Sequence, residues 1–232
     1  MKTYFYTCLA AVSLVLMSCD PQPRSDKRLT NALISNDTDF IQRYLDAGGD
    51  VNKPIRYQHY DVVEAPMLDI AIRNGHTNLV DLLLRKGADP NQKDLHGETP
   101  LLWVLGRTVL SVPPETRATI LKMLLHAKAD PNLGDGPPLL WTPLCAAAMY
   151  GKHDMAKILL ASGASVNETN GYGDTAMYFA DDREMAQLLL DAGADLSIYG
   201  LKTPAEVARR NQRWDVYQLL TNYTAQTNAS IR

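Results

Sequence analysis

NGHTNLVDLLLRKGADPN, residues 74–91, decides how this chain folds. Leu79, Leu82, Leu83 and Leu84 recur at helical spacing, so the stretch predicts a short helix with one apolar face. Gly87 follows, and a residue just past a helix end often takes the left-handed conformation that glycine adopts without steric cost. Ala88-Asp89-Pro90-Asn91 then leads out into a turn. Further along, the phrase returns as LLHAKADPN (124–132), LLASGASVN (159–167) and LLLDAGADLS (188–197), and an earlier, looser copy reads YLDAGGDVN (44–52). A second phrase precedes the later copies: Thr99-Pro100-Leu101, Thr142-Pro143-Leu144, Thr175-Ala176-Met177 and Thr203-Pro204-Ala205. Recurrence at roughly 33 residues predicts stacked units, none of which can bury its apolar face alone.

These residues also name a family. Gly97-Glu98-Thr99-Pro100-Leu101, Gly75-His76 and Gly87-Ala88-Asp89-Pro90-Asn91 closely resemble the ankyrin repeat, over about residues 29–220. The resemblance implies an all-α solenoid of stacked helix hairpins with short β-hairpin-like fingers, about five to six repeats including caps. It also implies a binding scaffold with no fixed chemistry, so the fold is better determined than the partner.

Composition agrees with a binding body. Basic and acidic residues nearly balance, 23 against 26, so the basic stripe of a nucleic-acid binder is not expected. Two of the three cysteines, Cys8 and Cys19, lie in the N-terminal segment. Cys145 is left alone in the repeats, where the family usually has a buried His, and is expected to be a buried structural thiol.

The first residues form a targeting segment. Met1-Lys2 is a minimal cationic start, and residues 4–16 are an apolar run of signal-peptide length, too short to span a bilayer. Leu16-Met17-Ser18-Cys19 resembles the lipobox of bacterial lipoproteins, which implies that Cys19 is acylated and becomes the mature N-terminus. Asp20 resembles the signal for retention at the inner membrane in enteric-type bacteria, and a start at Met17 would leave a cytosolic form. The expected division is therefore 1–18 signal peptide, 19–28 lipidated Cys and tether, 29–220 repeat domain and 221–232 flexible tail.

Along the repeats, the polar stretch TNALISNDTDFIQRYL (30–45) is expected to be a helical cap. Unit two has Asp69 where the family's His usually sits. Unit three is interrupted after Gly106 by an inserted loop through Pro113-Pro114, with its second helix expected from about Thr119. Unit five is short, because Asp181-Asp182-Arg183-Glu184 replaces the Gly-His turn. Arg209, Arg210, Gln212 and Arg213 mark a polar C-terminal cap.

No hydrolase elbow, zincin helix, C-x-x-C pair or P-loop is present, so no catalytic residues, cofactor, metal or small-molecule substrate are expected. His76 and His153 read as equivalent structural residues opening second helices, their rings satisfying backbone groups at the turn. The family resemblance places ligands against the hairpin tips and the exposed ends of the first helices. Mapped onto this chain, those positions are Arg73, Asn74, Arg107, Met149, Tyr150, Asp181, Asp182 and Arg210. The tips add Tyr57, Tyr60, Leu95, His96, Trp141, Tyr172 and Tyr199. Tyr, Trp and Arg dominate interface energies because they bury large areas while keeping a polar handle. The expected function is a periplasm-facing, lipid-anchored binder of another protein. The sharper expectation is an immunity protein against an antibacterial lipase-type effector, since some bacterial ankyrin lipoproteins guard against type VI secretion phospholipases. Rival readings are an envelope scaffold partnering a periplasmic stress enzyme, and a hydrolase with a degenerate site.

Overall fold

The computed structural model describes residues 24–58, 62–106, 112–136 and 140–230. Its helices come in pairs: α1 (Arg24–Ile34) with α2 (Thr38–Asp46), α3 (Met67–Arg73) with α4 (Thr77–Arg85), and α5 (Pro100–Leu105) with α6 (Pro114–His126). Then follow α7 (Pro143–Met149) with α8 (His153–Ala161), α9 (Ala176–Phe179) with α10 (Arg183–Asp191), and α11 (Pro204–Arg210) with α12 (Trp214–Ser230). Each first helix packs on the next first helix, and each second helix on the next second helix, giving two parallel layers around one continuous apolar core. Leu83, Leu124, Leu159 and Leu189 repeat one register position and are all fully buried.

Local chemistry explains the starts. Thr99, Thr142 and Thr203 cap α5, α7 and α11, each hydroxyl accepting the N–H three residues on, with proline at the first helical position, where no hydrogen bond is lost. Glu206 completes a capping box with Thr203. The stops are equally local. Gly48, Gly87, Gly163 and Gly193 take positive φ after α2, α4, α8 and α10, while the matching place after α6 holds Lys128 at φ +71°.

An asparagine ladder ties the turns after the second helices. Asn52 donates to the Gly87 carbonyl (3.2 Å) and accepts the Asp89 N–H (2.8 Å). Asn91 does the same with Lys128 and Asp130, Asn132 with Gly163 and Ser165, and Asn167 with Gly193 and Asp195.

The structure departs from the sequence reading in four places. The 30–45 stretch is two helices, broken at Asn36 (φ +58°) and restarted by Asp37, which caps Phe40 N–H. Unit three's second helix starts at Pro114, not near Thr119. A second consecutive proline cannot continue a helix, but it suits the first helical position, with Pro113 just before it. The expected tether is helical from Arg24, and the expected aperiodic tail from Thr221 continues α12 to Ser230. Thr221, Thr224 and Thr227 adapt to that helix by turning their hydroxyls back onto carbonyls one turn earlier.

Candidate protein-binding surface

The hairpin tips after the first finger combine a cross-finger backbone bond with side chains that hold the turn. Asp94 Oδ1 accepts the N–H groups of His96 (2.8 Å) and Glu98 (3.0 Å), and Asn170 Oδ1 accepts those of Tyr172 (2.9 Å) and Asp174 (3.0 Å). Asp135 accepts the Trp141 N–H at 2.6 Å. The first finger is a true antiparallel pair, β1 (Ile55–Gln58) with β2 (Val62–Ala65), in the register Ile55↔Ala65. Tight tips of this kind leave their outermost side chains without a packing partner. Leu95 is 66% exposed and Tyr172 58%, and Tyr199 is exposed as well. Leu140 and Leu201 join them, Leu201 at 98%. Neither leucine is among the expected contact residues, although Leu201 occupies the register place of Gly173 one tip earlier and is legible by alignment.

Behind the tips runs a strip of half-buried rings. Trp141 lies 4.8 Å from Phe179, and Phe179 lies 4.9 Å from Tyr178, in tilted and edge-on geometries that aromatic pairs favour. Met149 is exposed and Tyr150 half-buried at the end of α7.

Other expected contact residues are engaged within the fold. Arg73 Nη2 pairs with Asp94 Oδ2 at 3.1 Å, and its guanidinium stacks 3.5 Å from the Trp103 ring centre. Trp103 Nε1 donates to the same carboxylate, and the Arg73 side chain is only 16% exposed. Arg73 is thus a latch between units two and three. Asn74 turns back onto the Ile70 carbonyl at 2.7 Å. Asp181 pairs with Arg213 at 2.7 Å, and Asp182 caps α10 through Met185 N–H while facing His153 Nε2 at 2.9 Å. Both acids staple neighbouring units rather than ending a first helix. Arg210 and His96 are exposed. The backbone of Tyr57 lies in β1, while Tyr60, Arg107 and Cys19 lie outside the described residues.

The two histidines differ in place and partner. His76 stands before α4 with Nε2 2.8 Å from the Ile34 carbonyl, as expected of a turn-satisfying ring. His153 is the first residue of α8, one position later in register, and meets a carboxylate instead.

Electrostatics separate the acids by surroundings. Burial pushes Asp69 well above the usual carboxylate range, against the pull of Arg73, and both its oxygens lack a hydrogen bond. Burial and the neighbouring Asp94 raise Glu98, and burial raises Asp135 and Asp174. Burial also acts on Asp182, but the Met185 N–H and His153 outweigh it and hold that carboxyl low. The Cys145 thiol, fully buried, is pushed up to about 11 by desolvation and is inert as a nucleophile near neutral pH. Among the described residues, no group of three or more His, Cys, Asp or Glu side chains could hold a metal ion, and no helix is long and apolar enough to cross a membrane.

Family models agree with this geometry. One described as ankyrin repeats (3 copies) matches residues 114–200 and one described as an ankyrin repeat matches residues 66–95, together half of the chain. The chain belongs to the ankyrin-repeat family. An ankyrin repeat protein of Escherichia coli (strain K12), YahD, is 29% identical over 196 residues, covering 81% of this chain and 89% of the relative. Ankyrin repeat protein OPG189 of variola virus is 28% identical over 126 residues, with 53% of this chain and 21% of the viral protein covered. Glycerophosphocholine phosphodiesterase gde1 of Schizosaccharomyces pombe is 31% identical over 144 residues, and the chain spans only 12% of its length. Ankyrin repeats of this kind are protein–protein interaction modules, and the fold is typically a non-catalytic scaffold.

Proposed function

We propose that this ankyrin-repeat protein is a lipid-anchored, periplasm-facing binder of another protein that performs no reaction itself, and that its partner is an antibacterial effector of lipase type, which it neutralises. The observation that carries the binding role is the line of unsupported tip side chains, Leu95, Tyr172, Tyr199 and Leu201, in front of the Trp141–Phe179–Tyr178 strip. Apolar and aromatic groups held by rigid turns lose little conformational freedom on contact, so more of the burial energy remains for affinity. The lipobox-like sequence ending at Cys19 supports anchoring, and the short 19–28 segment supports a position close to the membrane that a lipase would attack. A soluble partner-binding body there is suited to occlusion.

The test is expression of the chain in cells exposed to lipase-type effectors encoded beside it, with direct titration of purified chain against each effector. Protection and a saturable complex are expected. A chain that neither protects against nor binds any of them ends the immunity reading. Labelling with an alkyne fatty acid, lost in Cys19→Ala, checks the anchor.

A further inference from the structure

Seven residues before the shared core position of the second helices (Leu83, Leu124, Leu159 and Leu189, with Tyr44 and Leu220 in the end units), the chain carries His76, Arg117, Lys152 and Asp182, with Asp37 and Arg213 at the ends. At four of these places the side chain is satisfied. Asp37 and Asp182 accept helix N–H groups, His76 meets the Ile34 carbonyl, and Arg213 donates to the Ala180 carbonyl at 3.0 Å while pairing with Asp181. The remaining two, Arg117 and Lys152, sit on neighbouring helices α6 and α8, which pack against each other. Both are cations, and among the described residues neither side chain has an ion pair or hydrogen bond. Arg117 is only 5% exposed, and its Nε and Nη1 are buried without a partner. The start of α8, where Lys152 stands, carries no side-chain cap, so its first N–H groups are open as well.

We propose that Arg117, Lys152 and the uncapped N-terminus of α8 form a binding site for a small free oxyanion of phosphate type. A buried guanidinium with orphan donors lacks acceptors, and native structures rarely leave such groups unmatched. An oxyanion offers several acceptors at once, and arginine's fixed donors suit it better than they suit a spherical halide. The helix start adds oriented N–H groups and a favourable dipole. Half-buried Lys152 marks the opening, and the depth of Arg117 restricts the site to a small ion rather than a headgroup fixed in a bilayer. Consistent with two cations sharing one place without a counter-ion, burial and the Arg117 charge together hold the Lys152 ammonium below the usual lysine range. A bound anion would close the gap in the series of inter-unit staples between those at His76 and His153.

The experiment is thermal unfolding of the full chain in potassium phosphate and in potassium chloride at matched ionic strength, with calorimetric titration of inorganic phosphate. A saturable rise of roughly 5–10 °C is expected at a hundred times the dissociation constant. Arg117→Gln and Lys152→Gln should each abolish it, and Lys152→Gln, at a half-exposed position, should leave the fold intact. Equal unfolding temperatures in the two salts would overturn the proposal, as would a phosphate response retained in Lys152→Gln. Capture of the native chain by phosphatidylglycerol vesicles with no response to inorganic phosphate would also overturn it.

Discussion

The turns after the second helices and the tips of the fingers arise from the same repeated unit, yet one edge is uniform and the other varied. Asn52, Asn91, Asn132 and Asn167 make the same two bonds to the following unit, at 3.2–3.3 Å and 2.7–2.8 Å. The tips share no single design: one is a β-pair, two are wrapped around an Asp or Asn side chain, one is closed by Asp135, and the last is held by Asp174 through the Gly200 N–H. Backbone polar groups between units must find partners, so the first edge admits few solutions. The outermost tip side chains, Leu95, Tyr172, Tyr199 and Leu201, are exposed and are free to suit a partner. Stability and binding should therefore separate when each is perturbed.

The largest effect expected is at the shared core. Leu83→Ala or Leu159→Ala, each fully buried, should destabilise by about 2–5 kcal/mol through the cavity left behind, read by urea unfolding. Leu201→Ala on a tip should stay within about 0.5 kcal/mol of the native chain. The converse holds for affinity. Tyr172→Ala or Tyr199→Ala should weaken partner binding by roughly 2–4 kcal/mol while leaving the unfolding curve in place. Equal losses of stability and affinity in these tyrosine variants would break the distinction.

The ladder lies between these extremes. Asn132→Ala removes the bond to the Gly163 carbonyl and leaves the Ser165 N–H without its acceptor, which should cost about 1–2 kcal/mol.

What the sequence made legible follows the same division. Thr-Pro starts, glycine stops and the leucine register act within a few residues, and the structure contains them as read. The errors lie where the deciding partner is far along the chain. Arg73 looked exposed because Asp94, 21 residues away, could not be seen to hold it. Asp182 likewise depends on His153, 29 residues earlier. Pro113-Pro114 failed for another reason. The same residue breaks a helix or begins one, and only the packing of α6 on α4 and α5 decides which.

Asp69 marks a place where the unit departs from its pattern at the front. Its carboxyl is raised by burial above its unfolded value, so the native state holds a proton that the unfolded chain releases. Stability from this group is complete below the unfolded pKa and is lost as pH rises towards the folded one. Asp69→Asn, nearly isosteric and always neutral, should match the native chain only below the ordinary carboxylate value of 3.8 and exceed it increasingly above that. Parallel unfolding series from pH 4 to 8 measure the difference, and curves that never diverge would refute it.

A smaller gain in stability tests the uniform edge at its irregular stop. Lys128 takes φ +71° where the other units have glycine. A side chain in the left-handed region costs roughly 1–2 kcal/mol, but glycine returns about 0.4–1 kcal/mol of that to the unfolded chain as entropy. Lys128→Gly should therefore stabilise by about 0.5–1 kcal/mol, seen as a higher urea midpoint with unchanged slope. Its carbonyl already accepts the Asn91 side chain, so the ladder needs no rearrangement. A loss of stability would mean that the lysine stem packs usefully on the turn, and that the irregular stop is an adaptation rather than a strain.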